Sequence, residues 1–260
     1  MTTITAYAPG TFCWPELATS DQAGARKFYT ALFGWTADDT PMGEGETYTM
    51  LYKEGRNVGA LYRKRPEEPV PNWHAYVSVT NADEAAAKAK QLGGKVLMEP
   101  FDVMEHGRMA TIQDPSGAIF NLWQTRSHKG ADLLDEPGAL VWTELLSRDP
   151  AAAKPFYAQL FGWKPNDMDM GEGGTYTVFE REAQKGAGGM MTMPKQVPAQ
   201  VPSHWLPYFH VLDCDATAAK AAELGGKVMM KPTDIPNVGR FATIADPQGA
   251  VFQILKPIPM

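Results

Sequence analysis

Apolar positions along this 260-residue chain switch between two spacings. After Asp21 they recur as Phe28, Tyr29, Leu32 and Phe33, one face of a helix, and the run stops at Gly34. Period-two stretches near Trp35–Asp38, Tyr48–Lys53 and Asn57–Arg63 follow as predicted strands, parted by loops rich in Pro and Gly. A second unit has the same order. It opens with a strand over His74–Val79, and its helix begins after Asn81, carries Asp83 and Glu84 in the first turn and ends at Gly93-Gly94. Strands near Lys95–Glu99, Arg108–Gln113 and Ala118–Trp123 complete it, the last pair joined by the turn Asp114-Pro115-Ser116-Gly117.

These two β-α-β-β-β units then occur again. Pro9 laid on Pro137 aligns the halves without a gap as far as Tyr48 and Tyr176, bringing Trp14, Glu16 and Asp21 onto Trp142, Glu144 and Asp149. Extra residues in the Ala183–Pro202 stretch change the offset, after which Trp73 meets Trp205. Gly107–Phe120 and Gly239–Phe252 are identical at ten of fourteen positions, so the chain is a tandem duplication. Its predicted organisation is a domain over 9–125, a polar linker over 126–136 and a second domain over 137–258. Lys64–Asn72 and Lys195–Ser203 are Pro-rich breaks between modules. The fold class is α+β: four βαβββ modules forming cupped mixed β-sheets, with one cup in each copy or one across each copy boundary.

Composition narrows the function. Apolar residues make up 44% and charged residues 21%, with a net charge of −6 and no Lys/Arg-rich stripe, which argues against a nucleic-acid partner. No apolar run is long enough for a membrane span, and Met1–Pro9 has neither a basic start nor an apolar core of a signal peptide. A cytoplasmic protein is the expectation. Cys13 and Cys214 lack CxxC partners. Cys13 reads as a small buried hydrophobe, and Cys214 opens a predicted helix, where a thiol's pKa can be lowered.

The strand–Asp–helix unit ending Phe28-Tyr29…Leu32-Phe33-Gly34-Trp35, its counterpart Phe156-Tyr157…Leu160-Phe161-Gly162-Trp163, the Leu-Gly-Gly-Lys-Val segments at Leu92 and Leu224, and the two Asp-Pro-x-Gly turns resemble the vicinal oxygen chelate superfamily. That superfamily includes glyoxalase I, the bleomycin and fosfomycin resistance proteins and the extradiol dioxygenases. The resemblance runs from about Gly10 to Lys256 and looks closest to two-copy, glyoxalase-like proteins of actinobacteria. It implies a metal site built from a first-strand His, a fourth-strand Glu or Gln, a fifth-strand His and an eighth-strand Glu. Those positions here are Trp14 or Trp142, the Val58–Leu61 or Gly188–Met191 region, His74 or Leu206, and Asn121 or Gln253. Only His74 survives as a good ligand, so no metal and no cofactor are expected.

Alternation places further side chains on the face of the old ligand positions: Glu16 with Trp14, Glu144 with Trp142, Tyr76 and Ser78 with His74, Tyr208 and His210 with Leu206, and Trp123 with Asn121. Each cup would then hold a Trp, a Glu, a Tyr, an amide and one His, an aromatic wall suited to a small organic molecule. The expected ligand-binding set is Trp14, His74, Tyr76, Asn121, Trp123, Trp142, Tyr208, His210 and Gln253. The tryptophans could equally plug the cups. Glu16 and Glu144 are candidate general bases, or acceptors from a loop or from the Gly107-Arg108 and Gly239-Arg240 segments. The expected function is metal-independent binding of a small molecule by a glyoxalase/bleomycin-resistance-like protein. A glyoxalase- or lyase-type enzyme with a Glu base is the alternative, and an extradiol dioxygenase-like activity a weaker one. If one cup works, the first is expected to, through His74. A homodimer is left open.

Overall fold

The computed structural model describes residues 4–43, 45–181 and 186–258. Met1–Thr3 of the amino-terminal stretch and Ala183–Lys185 of the expanded stretch lie outside the described residues. In the first copy the elements are β1 (Phe12–Thr19), α1 (Gln22–Phe33), β2 (Thr36–Gly43), β3 (Glu46–Lys53), β4 (Arg56–Arg63), β5 (Asn72–Ser78), α2 (Ala82–Gln91), β6 (Lys95–Val103), β7 (Gly107–Gln113) and β8 (Ile119–Thr125). The second repeats them as β9 (Leu140–Ser147), α3 (Pro150–Phe161), β10 (Lys164–Asp169), β11 (Thr175–Glu180), β12 (Gly186–Thr192), β13 (His204–His210), α4 (Cys214–Glu223), β14 (Lys227–Ile235), β15 (Gly239–Ala245) and β16 (Val251–Pro257). The expected modules are all present. The strand after the first helix runs farther than its apolar pattern, to Gly43, because β2 is an exposed edge strand held by β3 alone.

Local chemistry sets the helix ends. Asp21 accepts the Gly24 N–H at 3.0 Å, and Gly34 closes α1 at φ 68°, in the left-handed region that favours glycine. Asp149 caps α3 in the same way ahead of Pro150. Asn81 caps α2 and accepts from both Asp83 and Glu84 N–H groups.

Strands pair within a copy. Each copy forms one eight-stranded mixed sheet, in the order β2-β3-β4-β1-β5-β8-β7-β6 and its equivalent. Helices pack across copies. One core joins Phe28, Tyr29 and Phe33 of α1 to Phe209, Phe252 and Ile254 of the second sheet, and the other joins Phe156 and Tyr157 of α3 to Val77, Phe120 and Leu122 of the first. Tyr29 Oη donates to buried Asp246 at 3.0 Å and accepts from Trp73 Nε1; Tyr157 Oη donates to Asp114 at 2.8 Å and accepts from Trp205 Nε1. The Asp-Pro-x-Gly turn of one copy is thus bolted to the first helix of the other. Trp35 and Trp163 repeat the exchange through the carbonyls of Gly138 and Gly10. The faces turned away from these shared cores are the two cups.

No helix among the described residues is long and apolar enough to cross a membrane. Cys214 is buried, with Asp213 rather than the thiol capping α4, and burial followed by the charge of Asp215 pushes it up to about 11. The helix-start position therefore does not activate it. Cys13 is fully buried, as its apolar setting implied.

Candidate functional site in the two cups

Antiparallel pairing of β1 with β5 sets Trp14 beside Tyr76 and Glu16 beside His74, and parallel pairing of β5 with β8 sets Tyr76 beside Asn121. The second copy keeps this register, with Trp142 beside Tyr208, Glu144 beside Leu206 and Tyr208 beside Gln253. One face of each sheet thereby carries the residues named from the alternation.

Glu16 is 8% exposed and clasped by two phenols: Tyr48 Oη donates to Oε1 at 2.5 Å and Tyr76 Oη to Oε2 at 2.6 Å. Trp14 Nε1 in turn donates to Tyr48 Oη at 3.3 Å. In the second cup Tyr176 and Tyr208 hydrogen-bond Glu144, and Trp142 Nε1 donates to Tyr176 Oη at 2.9 Å. The same Trp–Tyr–Glu–Tyr network therefore exists twice. Burial pushes Glu144 up to about 7, although the two phenols favour its ionised form. Burial next to Glu16 holds Tyr48 and Tyr76 well above the usual phenol range, so both stay protonated donors.

This arrangement corrects one expectation. Neither carboxylate is served by the Gly-Arg segments, because those arginines are committed elsewhere: Arg108 to Asp83 and Asp102, Arg240 to Asp215 and Asp234. Tyr48 and Tyr176 supply the missing donors. They lie on the third strand of each copy, outside the strands whose alternation defines the cup faces, although the ungapped repeat runs through both.

The amides are oriented too. Asn121 Oδ1 accepts from Thr111 Oγ1 at 2.8 Å and Gln253 Oε1 from Thr243 Oγ1 at 3.2 Å. Trp123 stands edge-on to Tyr76 and donates its indole N–H to the His128 carbonyl at 2.9 Å. The His128 ring itself lies edge-on against Trp14, with centroids 4.6 Å apart, and burial lowers it to about 4. The linker thus covers Trp14, another contact not foreseen from the sequence. His210 Nδ1 is 2.9 Å from the Asp135 carbonyl, so it is engaged with the linker. His74 contacts Glu68 and Tyr62, whereas Leu206 joins Met193 and Leu146 in an apolar cluster.

The donors present do not fit a catalytic divalent cation. An indole has no lone pair to give, the amides are weak donors, and among the described residues no three His, Cys, Asp or Glu side chains converge. Each cup holds aromatic side chains that are largely buried, one carboxylate bound by two phenols and an oriented amide.

Comparison with known proteins agrees with this fold. The profile of the Glyoxalase/Bleomycin resistance protein/Dioxygenase superfamily matches residues 11–122 and again 139–254. The chain is 45% identical over 257 residues to "Putative glyoxylase CFP32" of Mycobacterium tuberculosis, covering 97% of each. It is 35% identical to "Anthracycline biosynthesis protein DnrV" of Streptomyces peucetius, covering 97% of this chain and 95% of that one. Among solved structures, the Mn(II)-bound glyoxalase from Novosphingobium aromaticivorans superposes with a TM-score of 0.67 at 16% identity, over 95% of this chain and 82% of that one. The 2,3-dioxygenase LapB from Pseudomonas sp. KL28 gives 0.66 at 13% identity, over 100% and 96%. At such identities the structural likeness is one of fold.

Proposed function

Because the chain belongs to the Glyoxalase/Bleomycin resistance protein/Dioxygenase superfamily through both of its copies, we propose that it is a metal-independent, glyoxalase-like protein of the cytoplasm that binds a small organic molecule in a cup. The duplicated Trp–Tyr–Glu–Tyr network carries this reading. An indole and an amide stand where the family's cation donors are expected, and the buried carboxylate of each cup is held by phenols instead. Aromatic walls with a few convergent polar groups suit a planar, partly apolar ligand bearing oxygen functions. The name of the Streptomyces relative, a protein of anthracycline biosynthesis, supports an aromatic ligand of that kind. The test is titration of chelator-stripped full-length protein with doxorubicin, a fluorescent anthracycline. Saturable binding indifferent to EDTA is the expected result; binding that appears only after Mn(II) or Zn(II) is restored overturns the proposal.

A second reading, proton transfer of the glyoxalase or lyase kind, is favoured by Glu144. A carboxyl pushed up to about 7 by burial is available as both base and acid near neutral pH. Turnover abolished by Glu144→Gln or Glu16→Gln, with folding unchanged, supports it; full activity in both variants removes the assigned base. Iron-dependent ring cleavage is disfavoured on its own chemistry, since the ligand positions supply only His74 of the two-His-one-carboxylate set it needs.

A further inference from the structure

The first cup contains a second titratable cluster. His74 Nε2 lies 3.0 Å from Glu68 Oε1 and 3.2 Å from Tyr62 Oη, and that hydroxyl donates to the same carboxylate oxygen at 2.5 Å. The Arg65 N–H donates to the other oxygen of Glu68 at 2.6 Å. Lys64 Nζ holds the Glu68 carbonyl at 2.7 Å. Glu68 thus reaches back into the cup from the connection between β4 and β5, and it is fixed at both side chain and backbone.

Its acidity follows from these contacts. Burial alone would raise the carboxyl, but hydrogen bonds from His74, Tyr62 and the Arg65 backbone outweigh it and hold Glu68 down at about 2. An ionised carboxylate only accepts hydrogen bonds. Nε2 of His74 must therefore carry the hydrogen, and in the neutral ring the lone pair resides on Nδ1. His74 is also the direct cross-strand partner of Glu16, on the same face of the sheet. At the equivalent register the second copy has Met191 for Tyr62 and Leu206 for His74, so this device belongs to the first cup alone.

We propose that Glu68 is a positioning residue that pins His74 in the Nε2–H tautomer, and that His74 Nδ1 is the proton acceptor of the first cup for a ligand with an acidic C–H beside a carbonyl. This rests on proton transfer of the glyoxalase or lyase kind described above, with His74 in place of Glu16 as the acceptor in the first cup. In the step, the C–H bond breaks, its electron pair moves into the ligand as an enolate, and the proton forms the Nδ1–H bond of an imidazolium whose charge Glu68 balances. Return of the proton to the ligand restores the neutral ring, so no oxidant or co-reactant is consumed. The pinned tautomer, with its acceptor nitrogen fixed in advance, is what distinguishes His74 from a space-filling histidine.

Two measurements on the full chain test this. Long-range 1H–15N correlation of histidine-labelled protein, assigned with His74→Gln, reads the tautomer without any ligand. A single Nε2–H form is expected for His74, relaxing to a mixture in Glu68→Ala and persisting in Tyr62→Phe, with the His204 and His210 signals unmoved as a check of folding. An Nδ1–H form, or a tautomer ratio unaffected by Glu68→Ala, overturns the proposal. The second measurement is deuterium wash-in at the methylene of 2-hydroxyacetophenone. Measured with Glu144→Gln present throughout, so that only the first cup can exchange the proton, it should fall to background in His74→Gln and by at least about tenfold in Glu68→Ala. Loss of all wash-in in Glu144→Gln alone overturns the assignment to the first cup. Wash-in that survives in His74→Gln overturns His74 as acceptor. If the unmodified protein gives no wash-in above background, the proton-transfer reading and the acceptor role fall together, while the tautomer measurement still decides whether Glu68 positions the ring.

Discussion

Replacing Glu144 with Gln should flatten the pH dependence of stability, and the expected size follows from the structure. The side chain is 4% exposed, and burial lifts its carboxyl from 4.5 to about 7 despite the hydrogen bonds of Tyr176 and Tyr208. Each pKa unit corresponds to about 1.4 kcal/mol, so the ionised form costs the folded chain about 3 kcal/mol relative to the unfolded one. The sign is that of a raised acid. The native state keeps the proton longer, so this contribution is fully present below the unfolded value near 4.5 and is lost as pH rises through about 7. Gln cannot ionise, and its amide oxygen can still accept from a phenol. Urea unfolding followed by tryptophan fluorescence at a series of pH values should show the two chains within about 1 kcal/mol of each other at pH 4. At pH 8 the variant should be more stable by about 3 kcal/mol. Asp114 and Asp246 are also raised by burial, but they are common to both chains and cancel in the difference. Parallel curves from pH 4 to 8, or a variant that loses stability fastest on the alkaline side, would refute the assignment of a desolvated carboxyl.

Three further outcomes follow from the packing. Tyr157→Phe leaves Asp114 and the Trp205 N–H without their shared partner and should cost about 2 to 3 kcal/mol, read as a lower urea midpoint with unchanged slope. Tyr29→Phe should do the same through Asp246 and Trp73. Because both cores are built from residues of both copies, a chain ending at Thr125 should show no cooperative thermal transition by calorimetry, whereas the full chain should unfold in one. Cys13 and Cys214 are buried and pushed up by desolvation, so neither should react with Ellman's reagent at neutral pH until urea is added.

Much of the fold was legible because its determinants are local. Asp21, Asn81 and Asp149 cap the helices where the sequence places them, and the period of two put Trp14, Glu16, Tyr76 and Asn121 on one face. Partners set by sheet order were not legible. Tyr48 reaches Glu16 from two strands away in the sheet, a neighbour that only the order β3-β4-β1 reveals. Glu68 lay hidden for a different reason: it sits in a Pro-rich break that reads as a spacer, and nothing in its immediate sequence announces that its carboxylate folds back onto His74. The linker over 126–136 likewise reads as a polar connection, yet His128 packs on Trp14 and Ala131 N–H donates to the Cys13 carbonyl at 2.8 Å.

Repetition alone does not separate architecture from chemistry here, because both are duplicated. Tyr29 and Tyr157 recur to bolt the copies together; Tyr48 and Tyr176 recur to hold a carboxylate. The two kinds differ in where their acceptors lie. The bolting tyrosines reach an aspartate in the other copy that is also anchored by its own turn's backbone N–H groups, a role that any fold of this interlocked design requires. The cup tyrosines reach a glutamate within their own copy, on the sheet face turned away from both cores, where an apolar residue of similar size would satisfy packing at lower desolvation cost. Retention of a buried carboxylate in each cup is therefore the feature that structural need explains least. The copies then part where retention ends: His74, Glu68 and Tyr62 make the first cup's floor polar, and Leu206 with Met191 makes the second's apolar. One frame with a common Trp–Tyr–Glu–Tyr wall and unlike floors is the arrangement expected of two cups that no longer do the same work.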